Sequence, residues 1–218
     1  MTEIFSSLQL VCLAFMTLSL VAMHVVKKYT ALASAYVLQS LCLLVLLGIE
    51  LLERFSWGIL GIFIVTLVIK IIIIPNVFSR IIKQSRLNLL SPSYLTIPMT
   101  LCVLLLLLVF ARSDVLSPLA TLLSGPLELR TMLFGNLLMS IFLIINRKGA
   151  LSQIIGILSL ENMIFVLSIF LQIKQLFSLE LGILFNLLFW VIASSIFLKG
   201  LFMKFGSYDI TALNQLKK

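Results

Sequence analysis

A chain of 218 residues that is 61% hydrophobic and 11% charged, with a mean hydropathy of +1.22, has too few polar side chains to clothe a water-soluble domain. Its net charge of +8 does not point to nucleic acid, because the basic residues cluster in short stretches between apolar runs and form no basic stripe with interleaved aromatics. The class left standing is an all-α, polytopic transmembrane helical bundle.

Apolar runs long enough to cross a bilayer, roughly 20 residues each, recur down the chain. Seven spans are expected, at 5–26, 30–52, 56–79, 94–112, 127–145, 149–173 and 178–203. The first follows an acidic MTEIF and precedes Lys27 and Lys28, the reverse of a cleavable signal, so it is expected to be a retained helix. Between the third and fourth spans lies the basic connector SRIIKQSRLNLLSPS. Between the fourth and fifth lies RSDVLSPLATLLSGPLELR, whose Pro118, Gly125 and Pro126 suit a loop or broken turn.

With seven spans, Lys27, Lys28, Arg80, Lys83, Arg86, Arg147, Lys148, Lys199, Lys204, Lys217 and Lys218 fall on one side, and Arg54, Arg112, Arg130 and Lys174 on the other. Eleven against four predicts an outer N-terminus and a cytoplasmic C-terminus. Cys12, Cys42 and Cys102 lie singly in different apolar runs, so they read as small helix residues, not as ligands of zinc or an iron–sulfur cluster. No P-loop, G-x-S-x-G, H-E-x-x-H or dinucleotide fingerprint occurs, and the expectation is a chain with no catalytic centre and no cofactor of its own.

Two ionisable residues lie too deep for the membrane flanks. Glu161, in GILSLENMIFVLS, is twelve residues from Gly149 and twelve from Ile173. Lys70, in FIVTLVIKIIIIPN, is thirteen residues after Trp57 and ten before Arg80. Such a group costs about 2.5–3.5 kcal/mol at a helix centre on insertion scales, so it ordinarily faces a bundle interior or wet cavity. For Glu161 the choice is between a structural acid and a proton-relay carboxylate. Ser168 and Gln172 return to within about 20° of its direction on an ideal helix and extend a polar face toward the outer side.

For Lys70 the choice is between snorkelling and a buried switch. Pro75, five residues on, removes a helical hydrogen bond near the same turn and favours an interrupted helix lining a cavity. His24 reads as an interfacial histidine or an outlying relay group. Asn186 is balanced between a relay and an interhelical hydrogen bond, and Asn162, about 100° round from Glu161, reads as packing between helices. Lys199 lies near enough to its helix end to snorkel.

The stretches INRKGALSQIIGILSLENMIFVLSIF and SYDITALNQLKK resemble the small K-type subunit of respiratory complex I and of multisubunit cation/proton antiporters. Together with YTALASAYVLQSLCLLV and VIKIIIIP upstream, the chain is similar over nearly its whole length to the hydrogenase-4 component E family of formate-hydrogenlyase-type complexes. That resemblance implies a component-E-like extension at 1–112, a connector at 113–126 and a K-type-like unit at 127–218. It also implies a multi-pass subunit of a bacterial or archaeal plasma membrane, packed beside antiporter-like and hydrogenase-type subunits, with Glu161 and Lys70 on a proton pathway. One departure stands out. The K-type subunits carry a second buried acid in the last helix, where Asn186 is the plausible counterpart, and an amide does not release a proton as a carboxylate does. A scaffold subunit and a stand-alone small transporter are the rival expectations.

Overall fold

The computed structural model describes residues 2–84, 92–116, 123, 126–171 and 182. Apart from Gly182, the expected seventh span lies outside the described residues, as do Gln172, Asn186 and Lys199. Among the described residues every regular element is helical: α1 (Thr2–Val25), α2 (Tyr29–Glu53), α3 (Trp57–Thr66), α4 (Ile74–Gln84), α5 (Ile97–Arg112), α6 (Leu127–Asn146) and α7 (Ala150–Phe170), with a short turn at Asp114–Leu116. Five helical stretches are long and apolar enough to cross a membrane: Phe5–Val25, Tyr29–Glu53, Trp57–Ile82, Leu127–Asn146 and Ala150–Phe170.

The fourth expected span is shorter than 94–112. Residues 92–96 are not helical, because their backbone is engaged elsewhere. Tyr94 N–H donates to the Asn146 carbonyl at 2.9 Å, Lys148 N–H donates to the Pro92 carbonyl at 3.1 Å, and Leu95 N–H donates to Asn146 Oδ1 at 3.0 Å. Pro98 then sits in the first turn of α5, where its missing N–H costs nothing. The resulting helix of 16 residues is about 24 Å long.

The expected interruption near Pro75 takes a different form. The chain runs continuously from α3 to α4 through a wide π-helical turn at Leu67–Ile73, in which Ile74 N–H reaches back five residues to the Ile69 carbonyl. Proline has no amide hydrogen to offer the preceding turn, and a π-bulge absorbs the mismatch while the helix stays intact. Lys70 is in the middle of that turn.

α7 is the most enclosed of the five long helices, packed against α6 on one side and α2 on the other, with α1 filling the angle between α2 and α6. α5 covers α6, and the α3–α4 stretch lies against α2. One apolar cluster joins Leu13 and Met16 of α1, Leu43 and Leu46 of α2, Leu104 of α5, Leu133 of α6 and Phe165 of α7. Gly156 brings α6 and α7 together. A Cβ there would lie 2.9 Å from Ile144 Cγ1 and 3.3 Å from the Ile144 backbone nitrogen. Backbone cannot swing aside as a side-chain tip can, so Gly156→Leu is expected to lower stability by about 1–3 kcal/mol, read as a drop in melting temperature in detergent.

Candidate polar site at mid-depth

The buried polar residues converge on Lys70. Its side chain is fully buried, and its ammonium donates a hydrogen bond to Asn162 Oδ1 on α7. Asn162 is itself inaccessible, and its amide hydrogens go to α2: Nδ2 lies 3.1 Å from Ser40 Oγ and 3.4 Å from Gln39 Oε1. One carboxamide thus ties together the wide turn, α7 and α2. The face of the Phe165 ring adds a second stabilising contact, with its centroid 5.6 Å from Lys70 Nζ.

Glu161 is also buried, at 7% exposure. It lies within electrostatic reach of Lys70 and of Tyr36, yet its Oε2 has no hydrogen-bond partner. Gln39 Nε2 and Thr66 Oγ1 are likewise buried without partners, and Tyr36 Oη, with Ser40 as its neighbour, makes no well-formed hydrogen bond. Tyr36 and Gln39 are on α2 beside Ser40, and Thr66 is one turn before Lys70. Buried polar atoms are nearly always satisfied by protein or by internal water, so this grouping has hydrogen-bonding capacity left for water molecules around the amine and the acid.

Depth matches this chemistry. At 1.5 Å per residue, Glu161 is about 16 Å along α7 from Ala150, about half the roughly 30 Å that a hydrocarbon layer measures. Lys70 is a comparable distance along the stretch that begins at Trp57.

Of the other residues singled out from sequence, the described ones, Ser168 and His24, make their contacts outside this network. Ser168 is buried, but its hydroxyl donates to the Phe165 carbonyl at 2.7 Å, a bond within its own helix. His24, in the last turn of α1, is 3% exposed and packed edge-on against Phe142 at 5.1 Å, with neither ring nitrogen hydrogen-bonded. A second polar contact joins α6 to α7, where Ser140 Oγ and Ser159 Oγ lie 3.4 Å apart. Asn136 Nδ2 donates to the Leu13 carbonyl of α1 at 3.5 Å.

At one end of the bundle Arg147, read from sequence only as a loop charge, is buried at 1% exposure. Its Nη2 donates to the Met23 carbonyl, to His24 O at 3.2 Å and to Val26 O at 2.7 Å. These are the carbonyls that a helix C-terminus leaves without internal donors, and a cation there also complements the helix dipole. Burial lowers the Arg147 pKa from its ordinary value, and the nearby Tyr29 works in the opposite sense.

No protein-family model, characterised protein or solved structure matches this chain. The residues themselves carry the functional argument. Asn162, Gln39 and Ser40, which complete the site around Lys70, were not visible as partners in the sequence. The available signal was the adjacent polar pair in VLQSLCLL, in the middle of an otherwise apolar run.

Proposed function

We propose that this chain is a membrane subunit of a complex-I-related, hydrogenase-type energy-converting assembly, and that it contributes Lys70 and Glu161 to a proton or cation pathway. The observation that carries the proposal is the pairing of a buried amine and a buried carboxylic acid at mid-depth, within electrostatic reach and surrounded by unpartnered polar atoms. A proton that binds or leaves Glu161 changes the field at Lys70. Lys70 holds Asn162, and Asn162 holds α2, so a change of charge bears directly on how three helical stretches are joined. In this reading Tyr36, Gln39 and Thr66, whose buried polar atoms have hydrogen-bonding capacity to spare, hold water between amine and acid.

In this reading the chain crosses the plasma membrane seven times, with its N-terminus outside and its C-terminus in the cytoplasm. The distribution of charge supports it: Lys27, Lys28, Arg147 and Lys148 gather at the end of the bundle where α1 and α6 finish, against Arg54, Arg112 and Arg130 at the other. The resemblance to component E and K-type subunits supplies the partners, antiporter-like membrane subunits and peripheral redox subunits. The electron-transfer groups belong to those subunits and the ion path to this one.

A scaffold role is favoured by one specific observation, that Lys70 and Asn162 satisfy each other directly and cross-link helices. Substitution of Glu161 by Gln in the assembled complex separates the readings. The relay predicts loss of substrate-driven proton movement into membrane vesicles by at least about tenfold, with subunit composition unchanged. Undiminished proton movement in a fully assembled complex would leave only the scaffold.

A further inference from the structure

A groove of about 590 Å³ runs between α1, α5 and α6, well away from Lys70. Its walls are Ala14, Thr17 and Leu18 of α1, Leu108 and Val109 of α5, and Thr131 and Met132 of α6. The two threonines add little polarity, because Thr17 Oγ1 donates to the Leu13 carbonyl at 2.9 Å and Thr131 Oγ1 to the Leu127 carbonyl at 2.8 Å. The charged lining residues are Arg112, the last residue of α5, and Glu128, in the first turn of α6. Both are exposed, and no ion pair joins them. The groove therefore combines an apolar trough, reaching toward the middle of α1, with one cation and one anion at its mouth.

We propose that this groove binds an aminophospholipid, with an acyl chain along α1 and a headgroup held at both of its charges. Arg112 takes the phosphate, for which a guanidinium fork is well shaped. Glu128 takes the primary ammonium, which has N–H donors to give it. This pairing selects among lipids. A choline headgroup has the same charges but no N–H for Glu128, and a glycerol headgroup has no cation. The proposal needs the chain to be embedded in a bilayer and is independent of the relay at Lys70.

The test measures lipid retained per protein by mass spectrometry, after purification in mild detergent and re-addition of phosphatidylethanolamine, phosphatidylcholine or phosphatidylglycerol. Retention of the ethanolamine lipid is expected to exceed that of either other by about tenfold, the loss expected when one charge-assisted contact is removed. Arg112→Gln and Glu128→Gln are each expected to remove that preference while leaving the melting temperature in detergent unchanged. Ala14→Phe, which fills the trough, is expected to abolish retention. Equal retention of the three lipids, or a preference that survives both charge substitutions, overturns the proposal. So does a crosslink from Leu108→Cys to residues 172–218 or to another protein, which would identify a protein occupant.

Discussion

Asn162→Leu is expected to be among the most damaging substitutions in the membrane interior, lowering stability by about 3–5 kcal/mol, the usual cost of leaving a buried charge without its partner. The change removes the acceptor of the Lys70 ammonium and the donor to Gln39 and Ser40 in one step. Leucine has the same branched outline of four side-chain heavy atoms as asparagine, so the loss is chiefly one of hydrogen bonding, with some added bulk. Melting of the purified protein in detergent, together with its yield in membranes, gives the stability readout.

The informative comparison adds Lys70→Met to the same chain. Removing both members of a buried hydrogen bond is less costly than removing one, because no ammonium is then stranded, and the remaining cost is that of Gln39 and Ser40 losing the Asn162 amide. Lys70→Met with Asn162→Leu is therefore expected to recover most of the lost stability. If the site works as a relay, the double variant still fails to move protons, since the amine and its link to α2 are gone. A scaffold predicts that function returns together with stability. The cycle thus separates the two roles without relying on a variant that has merely failed to fold.

Arg147→Met is expected to be comparably destructive by a different route, at about 3–5 kcal/mol. Three carbonyls at the end of α1 receive donors from one guanidinium nitrogen, in a place with almost no access to water. Hydrogen bonds from a charged donor contribute about 1.5–3 kcal/mol each, and an orphaned carbonyl carries a desolvation penalty of its own. Arg147→Lys is expected to restore only part of the loss, because the lysine side chain ends one bond short of the position of Nη2. Melting in detergent ranks the three proteins, and a series in which Met and Arg melt together would remove the capping role.

Much of the architecture was legible in hydropathy, because a membrane span needs only length and an absence of charge. The depth of Lys70 and Glu161 followed from counting residues to the nearest flank, and both are buried. Other features depended on contacts that no local pattern encodes. Asn162 points away from Glu161 as helical geometry requires and joins helices as it read, but its partners were not legible because they lie on other helical stretches, 92 residues or more away in the chain. Arg147 read as a topological charge because INRKGA is a turn, yet its burial comes from α1, which ends against that turn. His24 read as interfacial from its place near the end of its helix, and its cover by Phe142 of α6 was not legible there. Residues 94–96 looked like the start of a span by composition, but their amides are held by Asn146.

The wide turn at Leu67–Ile73 has a consequence for the spacing of the chain itself. A π-bulge is, in effect, one surplus residue lodged within a helix. Take that residue out and the stretch from Trp57 to Gln84 relaxes to ordinary pitch, with α3 and α4 close to their present register and the side chains within the turn, Lys70 among them, redirected. Thr66 and Pro75 would then no longer keep their present bearings about the amine between them. The length of this segment is therefore as much a part of the site as the identity of its lysine.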